Sequence, residues 1–298
     1  MKRISCFILV LLMSLQAFPV GCTADADGNR RVIPLASDKG INVLVIGNSF
    51  CTGWQDELRG MLLSAGVKVT FWTAAHGGSS LSQHWEWAQS GAKEYRLRSY
   101  RSPDRNVNRY PVSLEYCLSG KEWDVISIQE AYFPLTQPGY DEAELSRSTK
   151  ELASAMYAYI RSYCPRATLV WHQTWALEVG WKRGQSSVQT QADQDDMYRM
   201  IRAFGDEVAA ENGAYLVPTG TAFQIARANG SGDLSRDGCH DGAENGGQYL
   251  NACVWFECVT GQSCVGNTWR PEKYTLSEER AALLQNAAHA AVEEYYGR

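Results

Sequence analysis

The stretch Ile41-Asn-Val-Leu-Val-Ile-Gly-Asn-Ser-Phe50 decides the fold. Residues 41–46 are a short apolar run rich in β-branched side chains, which is typical of a strand buried on both faces of a parallel sheet. The residues Gly-Asn-Ser end this strand. Apolar residues then recur three and four apart from Trp54 to Ala65, which predicts a helix that stops at Gly66. This segment therefore indicates an alternating α/β domain.

The same alternation continues along the chain. Further strands are predicted at 67–73, 123–128, 167–171 and 214–217, and further helices at 142–163, 192–212 and 277–296. Strands that alternate with helices imply a parallel sheet with helices on both faces. Residues 90–111 are rich in Arg, Ser and Asn and fit no element. We expect a surface insertion there that shapes a binding cleft.

Composition excludes several classes of protein. The chain has 298 residues, of which 45% are hydrophobic and 20% charged, so it is an ordinary globular sequence of one or two domains. A disordered chain, a collagen-like fibre and a small disulfide scaffold are thereby excluded. The formal net charge is −5 and no run of Lys and Arg exceeds two residues, so no nucleic-acid partner is predicted.

The N-terminus has the pattern of an export signal. Two basic residues precede an apolar run at 6–15 that is too short to span a bilayer. Gly21-Cys22 then resembles a bacterial lipobox, with cleavage near Ala24 as the alternative. We expect a signal peptide over residues 1–22, lipidation of Cys22, a polar linker over 23–39 and a single domain over 40–298. The predicted protein is thus an exported bacterial lipoprotein, periplasmic or on the outer membrane or cell surface, which meets a membrane only through its lipid anchor.

Cysteine and acidic residues indicate no metal or cofactor. The nine cysteines include no CxxC pair, so a zinc site of the paired-cysteine kind is not expected. Cys258 could pair with Cys264, and Cys117 with Cys164, or all could be small buried thiols. The acidic residues at 233, 237, 241 and 244 lack the spacing of a calcium-binding EF-hand loop.

Polar residues follow each predicted strand. They are Ser49, His76-Gly77-Gly78-Ser79, Gln129-Glu130, His172-Gln173 and Thr219. In parallel α/β sheets ligands bind outside the carboxyl ends of the strands, so these residues should converge. Ser49 lies between a strand and a helix, where free N–H groups stabilise negative charge, so it is the candidate nucleophile. As an alternative, Ser49 could simply cap the helix.

A serine nucleophile needs a base, and the candidate is Asp237-Gly-Cys-His240. Three residues apart on one turn, Asp237 can accept a hydrogen bond from the His240 ring and leave the other ring nitrogen for Ser49. The alternative is a solvated glycine-rich loop. Cys51 is a further possible nucleophile, but nothing in the sequence distinguishes it from a buried thiol.

These residues resemble the conserved blocks of the SGNH, or GDSL-like, hydrolases. Gly47-Asn48-Ser49-Phe50 looks like the first block, Gly77-Gly78 like the second and Asp237-x-x-His240 like the last. The third block usually supplies an Asn amide, whereas this chain has Gln129. Together with Trp171-His-Gln-Thr-Trp175, the arrangement looks like a poorly characterised branch found in exported bacterial lipoproteins. The resemblance covers about residues 41–260.

The resemblance implies a flavodoxin-like three-layer α/β/α sandwich with a central parallel sheet, and ester hydrolysis through an acyl-serine. In that scheme Ser49 attacks, His240 moves the proton and Asp237 orients His240. The oxyanion donors would be the N–H groups of Ser49 and Gly78 and the side-chain amide of Gln129. No cofactor is implied.

We expect the substrate to be a small-molecule or polysaccharide ester, with O-acetyl groups on a glycan as the first choice. Export and the high Trp and Tyr content motivate this expectation. The predicted substrate-binding residues are His76, Glu130, His172 and Trp175, and Trp85 and Trp87 are further candidates for stacking on a sugar. The alternatives are a non-catalytic glycan-binding lipoprotein and a lipase or thioesterase.

Overall fold

A computed structural model of the chain describes residues 23–24, 30–31, 33, 40–100 and 106–297. The predicted signal peptide, its lipidation residue Cys22 and most of the predicted linker lie outside the described residues. Within the linker, Ile33 is fully buried and its N–H donates to the carbonyl of Cys258 at 2.9 Å. At this point the predicted linker packs against the domain.

A seven-stranded sheet lies at the centre of the described part of the chain. Its strands are β1 (Ile41–Gly47), β2 (Val69–Ala75), β3 (Tyr95–Tyr100), β4 (Asn106–Val112), β5 (Val125–Ile128), β6 (Thr168–His172) and β7 (Tyr215–Val217). Across the sheet they run in the order β7-β6-β5-β1-β2-β3-β4. All but β3 and β4 are parallel, and those two form an antiparallel hairpin beside β2. Strand order reverses at β1, so the crevice where such sheets bind ligands opens beside the carboxyl end of β1.

Helices cover both faces of the sheet. They are α1 (Gln55–Ser64), α2 (Leu81–Ser90), α3 (Leu114–Leu118), α4 (Glu142–Tyr163), α5 (Gln191–Asn212), α6 (Thr219–Ala228), α7 (Gly247–Thr260) and α8 (Glu278–Tyr296). Helices α1, α6, α7 and α8 pack together in one layer, and α2 to α5 pack in the other. Two short ladders, Thr23–Ala24 with Arg30–Arg31 and Lys182–Arg183 with Ser186–Ser187, lie outside the sheet. The predicted three-layer α/β/α architecture is confirmed.

The five predicted strands and four predicted helices are all present, within two residues at each end. The expectation that residues 90–111 fit no element is wrong, because residues 95–100 and 106–112 form the β3–β4 hairpin. The sheet is consequently parallel only in part. Helix α7 was also missed. Its side chains are mostly apolar and nearly all buried, the polar Asn251 and Glu257 included, so it carries no amphipathic period.

Neither proposed cysteine pairing is formed. The seven cysteines of the described residues are all free and buried, which agrees with the alternative that they pack as small hydrophobic side chains. Among the helices that the structure describes, none is long and apolar enough to cross a membrane.

Candidate active site

Ser49 lies immediately after β1, at the start of a single 3₁₀ turn, Ser49–Cys51. Asn48 caps this turn, since its Oδ1 accepts the N–H of Phe50 at 3.0 Å. The Nδ2 of Asn48 donates to the carbonyl of Ser79 at 2.8 Å. Asn48 is buried, so both contacts are shielded from water. The amide of Asn48 thereby links the Ser49 turn to the glycine turn that follows β2.

The structure brings Ser49, His240 and Asp237 together. His240 Nε2 is 2.9 Å from Ser49 Oγ, and His240 Nδ1 is 2.7 Å from Asp237 Oδ2. Ser49 and His240 are separated by 191 positions in the sequence, so only the fold creates this contact. The chain of hydrogen bonds has the order that nucleophile, base and orienting carboxylate require.

The local conformation of the loop fixes Asp237 as an anion facing His240. Asp237 Oδ1 accepts the backbone N–H of His240 at 2.7 Å and that of Cys239 at 3.1 Å. Burial would raise the pKa of Asp237, but these hydrogen bonds and the His240 ring outweigh it, so the pKa lies below its usual value. An ionised Asp237 holds the proton of His240 on Nδ1 and leaves Nε2 free to accept the Ser49 proton.

Buried groups also hold the loop that carries Asp237 and His240. Trp175 Nε1 donates to the carbonyl of Cys239 at 2.9 Å, and the N–H of Glu178 donates to the carbonyl of Gly238 at 2.8 Å. Gly238 has a φ of +75°, and a Cβ there would lie 3.2 Å from the Trp181 ring. The positive φ therefore favours glycine at this position, and the Trp181 ring leaves little room for a Cβ.

The predicted oxyanion residues adjoin Ser49. Gly78 lies in the turn between β2 and α2 with a φ of +76°. Within the described part of the chain, the N–H groups of Ser49 and Gly78 donate to no acceptor. Unpaired backbone donors beside a nucleophile are available to an oxyanion. Their role in catalysis remains a prediction.

Gln129 lies across the end of β1. Its Nε2 donates to Asn48 Oδ1 at 2.7 Å, and its side chain lies so close to Gly47 that a Cβ there would approach Gln129 Cγ to 2.8 Å. An amide nitrogen has two hydrogens, and Asn48 takes one of them. The second hydrogen is the one that could reach an oxyanion.

Glu130 is placed differently from the expectation that it binds substrate. Its two oxygens accept the N–H groups of Leu81 and Ala131, each at 2.7 Å. Burial raises the pKa of Glu130, against the effect of these backbone donors. Because Leu81 is the first residue of α2, the carboxyl group holds the N-terminus of that helix in place. In this geometry Glu130 positions the glycine turn, and its role in substrate binding stays a prediction.

Two further predictions are corrected by burial. His172 is fully buried, and its Nε2 pairs with Thr219 Oγ1 at 3.0 Å. Burial lowers the pKa of His172 to about 3, so the ring is neutral. Trp175 is also fully buried, where it stacks on Phe223 with ring centroids 4.6 Å apart. Neither side chain can touch a substrate in this structure, because core packing covers both. Trp87, a further candidate for stacking on a sugar, is only half-buried and packs against His76, His84 and Tyr95.

A cavity of about 310 Å³ opens beside Ser49. The residues that line it are Ser49, Thr52, Thr73, Ala75, His76, Gly77, Glu94, Arg96, Arg98 and Tyr110. His76 is thus where it was predicted, at the edge of the site. The hairpin residues Glu94, Arg96, Arg98 and Tyr110 were missed. The alternation Tyr95-Arg-Leu-Arg-Ser-Tyr100 could have revealed them, because it places both arginines on one face of a strand.

Cysteine chemistry and metal binding find little support here. Cys51 is fully buried, burial raises the pKa of its thiol, and its Sγ donates to the carbonyl of Asn48 at 3.1 Å. Among the described residues, the only group with metal-ligand spacing is Asp237, Cys239 and His240. Asp237 and His240 are already paired with each other, and burial raises the pKa of Cys239 to about 12, so the sulfur stays protonated. The donor set therefore fits a hydrogen-bonded triad better than a metal site.

The comparisons with known proteins agree with this fold. A putative GDSL-like lipase from Parabacteroides merdae superposes with a TM-score of 0.53 at 17% identity, over 77% of this chain and 99% of that one. An α/β hydrolase from the metagenome of Lake Arreo has a TM-score of 0.50 at 12% identity, over 76% and 97% of the two chains. At these identities the likeness concerns the fold alone. The chain has the fold of the SGNH, or GDSL-like, hydrolases.

The family itself is shown by the sequence. Residues 42–291 match the family described as "Domain of unknown function (DUF4886)", and the chain belongs to it. It is similar to a DUF4886 protein from Bacteroides uniformis, with 28% identity, a TM-score of 0.75, and coverage of 87% of this chain and 96% of that one. No curated protein matches the sequence.

Proposed function

We propose that the protein is a serine esterase that hydrolyses O-acyl esters, in particular O-acetyl esters of a carbohydrate, through an acyl-serine intermediate. The single observation that carries the proposal is the continuous hydrogen-bonded chain from Ser49 Oγ through His240 to the ionised Asp237. A binding protein would not need a nucleophile, a base and an orienting carboxylate in this order.

In the proposed reaction, Ser49 Oγ attacks the ester carbonyl carbon while its proton passes to His240 Nε2. Asp237 stabilises the resulting imidazolium. The carbonyl oxygen becomes an oxyanion, which the N–H groups of Ser49 and Gly78 and the second amide hydrogen of Gln129 would bind. Collapse of this intermediate breaks the bond to the alcohol, which takes the proton from His240. Water then repeats the sequence on the acyl-serine and releases the acid.

The shape and chemistry of the cavity support a small polar ester. A volume of about 310 Å³ is at the lower end for small-molecule sites, and the wall carries charged and hydroxyl groups. A lipase would need an apolar channel for its acyl chain, and none of the cavity's long side chains is aliphatic. Export as a lipoprotein anchored at Cys22 completes the proposal, since it would place the enzyme where polysaccharides occur.

The test is hydrolysis of p-nitrophenyl acetate and of acetylated sugars by the purified protein. We expect Ser49→Ala to lower kcat by at least about 10⁴-fold, because the nucleophile acts as a unit with its base. Ser64→Ala is the matched control, since that hydroxyl only bonds the carbonyl of Met61 in the last turns of α1. Unchanged hydrolysis in Ser49→Ala would overturn the proposal. Binding of glycans without turnover would favour the glycan-binding alternative.

A further inference from the structure

The β3–β4 hairpin exposes two arginines to the cavity that contains Ser49. Arg96 and Arg98 are two positions apart on β3, so their side chains share one face of the sheet. Their cross-strand partners on β2 are Ala75 and Thr73, which line the same cavity. The register of the sheet, not chance proximity of flexible side chains, therefore directs both guanidinium groups toward the site.

The two faces of β3 have opposite characters. Tyr95 and Leu97 point the other way and are buried, and Tyr95 packs against Trp87 of α2. Arg96 and Arg98 lie on the opposite face and are exposed. β3 is also an internal strand of the sheet, so these charges are not needed to protect a free edge.

The described groups around the two arginines do not neutralise them. Among the described residues, neither guanidinium has a carboxylate within ion-pair distance, and Arg96 lies 5.3 Å from the centre of the Tyr110 ring. Glu94 is the one acidic residue among those that line the cavity, and its carboxylate lies 3.8 Å from His76 Nδ1. The wall beside Ser49 thus has an excess of fixed positive charge, which attracts an anion.

We propose that Arg96 and Arg98 form an anion subsite, and that the ester hydrolysed at Ser49 carries a carboxylate on its alcohol or acyl part. This inference rests on the esterase activity proposed above. Guanidinium groups bind carboxylates through paired, charge-assisted hydrogen bonds. The arginines determine specificity and take no part in the movement of protons between Ser49 and His240.

The experiment compares charged esters with uncharged ones of the same shape. On the alcohol side the probes are acetylated glucuronic acid and acetylated glucuronamide, and on the acyl side the p-nitrophenyl monoester of glutaric acid and its amide. We expect kcat/KM to be about 10- to 100-fold higher for the carboxylate in one of the two pairs. The pair that shows the preference identifies which part of the substrate carries the charge. Equal rates within both pairs would overturn the anion subsite.

Variants test whether the two arginines produce the preference. The double variant Arg96→Gln/Arg98→Gln should lose this preference, so that its kcat/KM for each carboxylate probe falls to that for the matching amide probe. Arg109→Gln is the matched control, because Arg109 lies on β4 opposite the buried Leu97 and bonds Tyr116 Oη at 2.6 Å. In the wild type, raising the salt concentration from about 0.02 M to about 0.5 M should slow only the charged probes, since salt screens exposed charges. A preference that survives in the double variant contradicts the assignment.

Binding distinguishes failure of the subsite from failure of the esterase. Calorimetric titration of the Ser49→Ala protein with glucuronate and with glucuronamide needs no turnover. Tighter binding of glucuronate, lost in the arginine double variant, supports the subsite even where no ester is hydrolysed. Equal binding of the two ligands, beside equal hydrolysis of the charged and the amide ester in both probe pairs, overturns the subsite and leaves the esterase standing.

Discussion

The two sides of Ser49 are built in different ways. On one side, the loop that carries His240 is fixed by short hydrogen bonds to backbone groups and by the buried ring of Trp175. On the other side, the hairpin presents long, exposed side chains, Arg96 and Arg98, with no comparable hydrogen bonds among the described residues. The first side has the rigidity that proton transfer requires. The second has the freedom that recognition of a variable ligand permits.

This difference indicates that the loop side determines the rate of the reaction and the hairpin side determines which substrate is preferred. Substitutions on the loop side should change kcat, because they disturb groups that act in the transition state. Substitutions on the hairpin side should change the preference between substrates and leave the reaction of neutral esters intact.

The largest effect is expected from Asp237→Asn. The amide would keep the size of the side chain but could not hold the proton of His240 on Nδ1, so the wrong tautomer would face Ser49. We expect kcat for p-nitrophenyl acetate to fall by about 10⁴-fold with a nearly unchanged KM. Steady-state kinetics, with circular dichroism as the check on folding, measure it. A loss of less than tenfold would show that Asp237 does not orient His240.

A smaller effect is expected from Trp175→Phe. Phenylalanine keeps the stacking on Phe223 but leaves the buried carbonyl of Cys239 without its donor, at a cost of about 1–3 kcal/mol in stability. Because that carbonyl adjoins His240, we expect kcat to fall by roughly tenfold, as misplacement of a catalytic group slows the reaction.

Trp123→Phe is the matched control for this prediction. Trp123 is also buried, and its Nε1 donates to the carbonyls of Cys117 and Leu118, in a part of the chain outside the residues that line the cavity. Trp123→Phe should lower the melting temperature about as much as Trp175→Phe does, but leave kcat unchanged. Equal losses of kcat in the two variants would show that Trp175 acts only through global stability.

The sequence predicted the catalytic side better than the recognition side, and the reason is physical. Ser49, Asp237 and His240 stand at turns whose local signals, a strand end and a glycine-rich loop, are visible in the sequence. The hairpin arginines were missed because a polar strand with one exposed face has no continuous apolar run. The contact between Ser49 and His240 itself depends on the order of strands, which the residues alone do not reveal.

The prediction that His172 and Trp175 bind substrate was wrong for a related reason. His172 and Trp175 follow β6 as expected, but two helices that were not predicted, α6 and α7, bury both side chains. Trp175 stacks on Phe223 of α6, and His172 packs against Trp255 of α7. Position after a strand end brings a residue to the correct edge of the sheet. Whether that residue reaches solvent depends on the layer packed above it, and α7 in particular has no amphipathic pattern to predict from.

The smallest effect on turnover is expected at the other aspartate beside His240. Asp241 is buried, and burial together with the charge of Glu57 raises its pKa well above the usual value, which favours the protonated form in the folded protein. Asn resembles a protonated Asp in shape and charge. Asp241→Asn should therefore leave kcat within about twofold of the wild type, in contrast to the roughly 10⁴-fold loss expected for Asp237→Asn.

Asp241→Asn should change how the free energy of unfolding depends on pH. Below about pH 4 both the folded and the unfolded wild type hold the Asp241 proton. At higher pH the unfolded chain releases it and the folded chain keeps it, so wild-type stability falls by about 1.4 kcal/mol per pH unit until the folded pKa is reached. The Asn variant does not titrate, so it should gain stability relative to the wild type as the pH rises. Urea unfolding at pH 4, about 5.5 and 7 measures this difference. A difference that stays constant with pH would show that Asp241 is ionised in the fold, and the two aspartates would then no longer differ in charge beside His240.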